Sequence, residues 1–303
     1  MREKRGKPEK KPTDATSVIV YNWYPGHMAK ARRMLVESLA LVDVVLEIAD
    51  ARIPHASRNP DIVEICGARP RILVLNKADL ADERQTARWA AHYAHETTVL
   101  PIVAANRKQA MQAARAMEQA AVRAIERAQG RGMKKVLRAM VVGVPNSGKS
   151  TLINAMHGGA AAQVADRAGV TRGKQWVKVS PYLELLDTPG VLWPRIDDPK
   201  AGLRLALTGS MRDDAFDVEE LARALLEEIS TALPDLLPRI YGVQPLPRDA
   251  FLEAICLKKG WLMTGGVPDT LRGARMTLDA FRGGKWGRIT LENFESIHPT
   301  PKA

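Results

Sequence analysis

The segment Gly143-Val144-Pro145-Asn146-Ser147-Gly148-Lys149-Ser150 has the residue types needed to hold a polyphosphate. Its glycines let backbone N–H groups close around a β-phosphate at a distance a Cβ would not allow. Lys149 would then neutralise β- and γ-oxygens, and the Ser150 hydroxyl would ligate Mg²⁺. Ser147, Gly148 and Thr151 complete this phosphate-facing set. Asp187-Thr188-Pro189-Gly190 supplies a second half, with Asp187 for the Mg²⁺ shell and the Gly190 N–H for a γ-phosphate. In Gly169-Val170-Thr171-Arg172, Thr171 is the candidate for both metal and γ-phosphate, and the alternative is a plain loop threonine. The chemistry is transfer of a terminal phosphoryl group, with Lys149 and Thr171 among its catalytic members.

Base choice falls to Asn76-Lys77-Ala78-Asp79. A carboxylate at Asp79 accepts from guanine N1–H and N2–H₂, whereas adenine would leave it unpaired. Asn76 braces the loop, and the Lys77 stem can lie over the base. Ala104-Ala105-Asn106 fits a backbone N–H contact to guanine O6 and is the least specific of these motifs. The order of the motifs is unusual. The base-reading tetrad precedes the phosphate loop by about 70 residues instead of following it, which predicts a circularly permuted GTPase that binds GTP and GDP.

Two departures qualify the chemistry. The residue after Gly190 is Val191, where many GTPases place a water-orienting glutamine, so intrinsic hydrolysis should be slow. The Asn146 carbonyl could ligate K⁺ near the phosphates, or Asn146 could be an ordinary loop residue. Two rival functions stay open on these residues. One is a tRNA-modification GTPase, although no modification domain is visible. The other is a nucleotide-sensing scaffold that never hydrolyses.

The elements that must position these groups alternate between strand and helix. Val42 to Ile48 reads as a strand ended by the polar turn Asp50-Ala51-Arg52-Ile53-Pro54. Arg71 to Leu75 reads as a buried parallel strand delivering Asn76 to Asp79 at its carboxyl end. A helix over Glu83 to His95, a strand over Val99 to Val103 and an alanine-rich helix from Arg107 to about Ala128 follow. Leu137 to Val142 enters the phosphate loop, and a helix leaves it at Lys149. Trp176 to Val179 and Tyr182 to Leu186 suit an antiparallel hairpin. Beyond about Pro199 the pattern is helical, over Val218 to Ile229, Ala250 to Lys258 and Thr270 to Phe281. The expected architecture is α/β: residues 1–17 a basic disordered tail, 18–200 a permuted P-loop GTPase domain with a parallel-dominated sheet, and 201–303 a smaller all-α domain that binds RNA or the ribosome.

Composition agrees. The 303 residues are 46% hydrophobic and 26% charged, suited to a sizeable core, and a formal charge of +11 favours polyanionic partners such as RNA. The segment from Arg272 to Arg288, with Arg275, Arg282, Lys285 and Trp286, is expected to contact RNA, and the alternative is a solvated face with a packed aromatic. Cys66 and Cys256 lack metal spacing and suit a reducing, cytoplasmic setting. The first twelve residues carry no apolar stretch, and no apolar run reaches membrane-spanning length, so neither a signal peptide nor a membrane association is expected.

The permuted order, together with Asn22-Trp23-Tyr24-Pro25-Gly26-His27-Met28, Asp50-Ala51-Arg52-Ile53-Pro54, Arg58-Asn59-Pro60 and Leu207-Thr208-Gly209-Ser210, resembles the ribosome biogenesis GTPase A family over about residues 20 to 300. That resemblance implies a GTPase, expected to be a monomer, that binds the large ribosomal subunit precursor late in assembly and is activated by it. It implies that an apolar residue replaces the glutamine, as Val191 does, and that His27 takes over in catalysis. It also implies that C-terminal helices contact ribosomal RNA. The alternative is that His27 is a capping or packing residue of its Pro-Gly turn. The basic tail looks longer than is normal in the family.

Overall fold

The computed structural model describes residues 33, 35–122, 136–160, 175–188, 196 and 198–298. The basic tail, His27, Thr171, Gly190 and Val191 lie outside the described residues, as does the expected end of the alanine-rich helix near Ala128. The strands are β1 (Val44–Asp50), β2 (Arg71–Asn76), β3 (Thr98–Ile102), β4 (Leu137–Val142), β5 (Gln175–Ser180) and β6 (Leu183–Asp187). They form one sheet in the order β3-β2-β1-β4-β6-β5, parallel except where β5 runs against β6.

The helices are α1 (Ile62–Cys66), α2 (Glu83–Tyr93), α3 (Arg107–Ala120), α4 (Lys149–His157), α5 (Pro199–Leu207), α6 (Val218–Ala232), α7 (Leu236–Tyr241), α8 (Arg248–Lys259), α9 (Thr270–Arg282) and α10 (Phe294–Ile297). Side-chain caps set several starts. Asp82 accepts from Gln85 N–H ahead of α2, and Asp217 accepts from Glu219 and Glu220 N–H ahead of α6. Pro199 opens α5, where its missing N–H costs nothing.

β1 is buried along its whole length because both sheet faces are covered. Val44, Leu46 and Ile48 pack with residues of α3 and α4, whereas Val45 packs with Leu35, Leu39, Ile62 and Cys66. Glu47 sits mid-strand and buried, with Arg58 Nε at 3.1 Å and Arg71 Nη1 at 3.6 Å. Burial pushes its pKa up against the pull of Arg58. The arginine of the Arg58-Asn59-Pro60 motif is therefore a partner for a buried carboxylate.

The strand expected over Val42 to Ile48 lies two residues later. Asp50 is its last member, paired with Asn76, and the turn after it is not solvated: Asp50, Ala51, Arg52 and Ile53 are all buried. What covers this turn is the C-terminal part of the chain. Ile53, Ala56 and Val144 belong to the same apolar cluster as Leu205, Leu225, Leu252, Leu278 and Phe281. The segment after α9 then returns to the sheet, with Ile289 N–H donating to Leu80 O and Leu291 N–H to Arg52 O, each at 2.9 Å. Trp89 Nε1–H donates to Glu292 O, also at 2.9 Å.

This packing corrects the expectation for residues 272–288. Trp286 is buried, and Arg282 turns inward to the carbonyls of Ala206 and Leu207 and to the Asp213 carboxylate. The Arg282 guanidinium is thus taken up by protein partners and Trp286 packs as the alternative reading had it, whereas Arg275 and Lys285 are exposed. An i,i+3/i+4 apolar stripe through Ala274, Leu278 and Phe281 decided which way the helix faces, and it carried Arg282 inward with it.

Candidate functional site

The nucleotide-binding motifs within the described residues meet at the carboxyl ends of the five parallel strands β1, β2, β3, β4 and β6. Register places Asp50 beside Asn76 and Val141 beside Asp187, so the loops after β1, β2, β4 and β6 open on one edge. Ligands of open α/β sheets bind at such an edge.

The phosphate loop follows β4 directly. Gly143 could carry no side chain, because a Cβ there would stand 2.3 Å from Ile48 O. Gly148 has φ +97°, and a Cβ would meet Asn76 Nδ2 at 2.2 Å. The loop therefore needs glycine for close approach to its own sheet as well as to a phosphate. Lys149 Nζ donates to Gly143 O at 3.2 Å and to Val144 O at 2.8 Å, lying across the loop. Burial lowers its pKa to about 8, with the Asp187 carboxylate opposing. Ser147 is fully buried and donates from Oγ to Val144 O at 2.9 Å. Its side chain holds the loop's shape. Thr151 stands in the first turn of α4.

Ser150 Oγ donates to Asp187 Oδ2 at 3.3 Å, which brings together the two expected Mg²⁺ ligands within the described residues. Asp187 Oδ1 is buried with no hydrogen-bond partner among those residues, and burial pushes this carboxyl pKa up. An orphaned carboxylate oxygen next to a serine hydroxyl is a donor set that suits a hard divalent cation. Beside it, buried Thr188 donates from Oγ1 to Val141 O at 2.6 Å and pins the turn after β6.

Asn76 joins three motifs. Its Nδ2 donates to Ser147 O at 2.6 Å, and its Oδ1 accepts from Ala104 N–H at 2.7 Å. Ala104 N–H is thus engaged within the protein. So is Asn106 N–H, which donates to Val103 O, while the Asn106 side chain caps α3 by accepting from Lys108 and Gln109 N–H. Of the Ala104-Ala105-Asn106 amides, that leaves Ala105, on an exposed turn, to meet a ligand. Asp79 is exposed at the end of the tetrad. Lys77 adopts φ +60° and donates from Nζ to Asp50 Oδ2 at 2.8 Å.

Asn146 has φ +56°, and its Nδ2 donates to Gly209 O at 2.7 Å. Because Gly209 offers only a carbonyl there, the amide nitrogen must face it. The phosphate loop is thereby bonded to the Leu207-Thr208-Gly209-Ser210 motif at the end of α5. Motif matching left Asp50, Arg52, Arg282 and Gly209 without roles in the site. The available signal was the acid and base two residues apart at a strand end, since their partners lie far along the chain.

Fold and site together define a circularly permuted P-loop GTPase. The chain matches the family described as 50S ribosome-binding GTPase over residues 138–231. It is 41% identical over 283 residues to Ribosome biogenesis GTPase A of Bacillus cereus, spanning 92% of this chain and 96% of that protein. The chain belongs to the ribosome biogenesis GTPase A family. It is also 35% identical over 299 residues to Mitochondrial ribosome-associated GTPase 1 of Bos taurus, at 90% and 89% coverage. The crystal structure of GNP-bound YlqF from T. maritima matches with a TM-score of 0.62 and 27% identity, covering 87% of this chain and 98% of that one.

Proposed function

We propose that this GTPase acts in ribosome biogenesis by binding the large ribosomal subunit precursor, promoting its late maturation, and turning over GTP faster when bound. The observation that carries this reading is the bond between Asn146 and Gly209. Through it a group beside the nucleotide phosphates touches the helical part of a chain with a formal charge of +11. Charge of this sign suits RNA, and the names of the matched relatives place them with ribosomes.

In this reading Asn76, Lys77 and Asp79 select guanine, with Ala105 donating to O6 between Ala104 and Asn106. Ser147, Gly148, Lys149, Ser150, Thr151 and Gly190 hold the phosphates. Ser150, Asp187 and Thr171 would hold Mg²⁺, which when bound neutralises charge building on the phosphate oxygens. Asn146 would serve K⁺ through its carbonyl. Lys149 neutralises β- and γ-oxygens, and His27 orients the attacking water in place of the residue Val191 cannot supply. Residues 18–200 form the GTPase domain and 201–303 the helical RNA-binding domain. Arg272, Arg275, Lys285 and Arg288 offer exposed cations there for ribosomal RNA. The protein works as a monomer in the cytoplasm and not at a membrane. No helix among the described residues is long and apolar enough to cross one.

Co-sedimentation tests the binding half of this proposal. With a non-hydrolysable GTP analogue the protein should travel with large subunits and not with small ones, and GDP should release it. Equal association with both subunits, or with neither, contradicts it.

A further inference from the structure

The carboxylate of Asp50 lies fully buried between two cations. Arg52 donates to it three times, from the backbone N–H at 3.0 Å, from Nε at 2.9 Å and from Nη2 at 2.7 Å. Lys77 Nζ supplies the fourth bond at 2.8 Å. One cation would have sufficed to neutralise the carboxylate. Arg52 is itself locked, because Nη1 donates to Arg282 O at 3.2 Å and the guanidinium stands 5.4 Å from the centroid of the Phe281 ring. Asp50 is therefore a fixed point.

The second cation comes from the tetrad read here as the base-reading loop. Lys77 holds a left-handed backbone, which costs a non-glycine residue energy and persists only where surrounding contacts over-determine it. A lysine free at its tip samples many rotamers. One held at both ends keeps its four-carbon stem in one place.

We propose that Asp50 is a positioning residue for guanine recognition: by anchoring the Lys77 ammonium it turns the lysine stem into a fixed apolar wall for the base. The proposal rests on the reading of Asn76 to Asp79 as the guanine site. It gives the Asp50-Ala51-Arg52 motif a task in nucleotide selection, with Arg52 and Arg282 tying that anchor to the helical region.

The test compares GDP with inorganic pyrophosphate, which can occupy only the phosphate loop, by fluorescence competition on the full chain. Lys77→Met keeps the stem and removes the ammonium; Asp50→Asn keeps the shape and removes the charge. Each should weaken GDP about tenfold, equivalent to about 1.4 kcal/mol, and leave pyrophosphate within twofold. In the double variant the losses should not add, because both remove one contact. If Asp50→Asn does not fold, Asp50→Asn combined with Arg52→Met removes the guanidinium that would otherwise be buried unpaired, leaves only the part-exposed Lys77 ammonium, and should show the same tenfold loss. GDP affinity within twofold of the parent, additive losses, or an equal loss for pyrophosphate would overturn the proposal. Asp79→Asn serves as the separate arm. If it fails to move preference toward xanthosine diphosphate, the guanine-site reading fails whatever Asp50 does.

Discussion

The side chain of Asn76 is hydrogen-bonded to the backbone carbonyl of Ser147 at 2.6 Å across 71 residues of chain, in the reverse of the ordinary motif order. The base-reading motif comes first in the chain and still meets the phosphate loop in the fold. Packing at the carboxyl edge of the sheet, and not chain order, sets the site.

Asn76→Ala should therefore damage two loops at once. It leaves Ser147 O and Ala104 N–H without their partner in a buried setting, at about 1–3 kcal/mol for each unsatisfied group. Urea unfolding should show a loss of about 2–6 kcal/mol for the two groups together, and GDP binding should weaken in the protein that remains folded. Unchanged stability and affinity would mean that the bridge does not organise the site.

Asp79→Asn should lower GTP affinity and shift preference toward xanthosine nucleotides, whose additional carbonyl matches an amide donor. Competition between guanosine and xanthosine diphosphates measures it directly. The unmodified protein should reject ATP, and equal affinity for ATP and GTP would sink the assignment.

Asn146 yields a prediction about salt identity. If its carbonyl serves K⁺, GTP turnover in KCl should exceed turnover in NaCl at matched ionic strength. Asn146→Gly is the cleaner variant, since glycine accepts φ +56° without the strain alanine would meet. The variant should lose the potassium advantage together with the bond to Gly209. Identical rates in the two salts for the parent protein would remove the potassium role.

Glu292 makes the stability of the returning C-terminal segment depend on pH. Its buried carboxylate accepts from His55 N–H at 2.6 Å and Ala56 N–H at 3.0 Å, with Arg204 Nη1 3.5 Å away. Burial pushes its pKa up to about 7 against the pull of Arg204. A raised carboxyl pKa means that the folded state binds more protons than the unfolded state between about pH 4.5 and 7. That contribution is present below this window and lost as pH rises through it. The stability difference between the parent and Glu292→Gln should thus change by about 2 kcal/mol between pH 5 and 8, to the parent's disadvantage at pH 8. A pH-independent difference would show that Glu292 stays ionised throughout.

How much of this was legible in sequence followed the range of the interactions. β4 was expected over Leu137 to Val142 and is found there, because a short aliphatic run bounded by a glycine turn depends on local pattern alone. The meeting of Ser150 with Asp187 was also foreseeable, since each motif carries its own chemistry. Asp50 and Arg52 were not. Two charged residues beside a proline read as a solvated turn, and the contacts that bury them come from Lys77, 27 residues away, and Arg282, 230 residues away. Arg282 misled for the same reason, its basic neighbourhood suggesting RNA while its partners are main-chain carbonyls of α5 and the Asp213 carboxylate. Long-range pairing of buried charge leaves no periodic trace in a sequence.

The proposed function is that of a GTPase whose turnover responds to the large ribosomal subunit, and single-turnover GTP hydrolysis with and without purified large subunits tests it. Hydrolysis by the protein alone should be slow, because Val191 cannot orient water. Large subunits should accelerate it strongly and small subunits should not. His27→Ala should bind GTP and the subunit normally yet lose most of that acceleration, by about 10²–10⁴-fold for a water-orienting imidazole. Turnover that large subunits leave unchanged would overturn the proposed function.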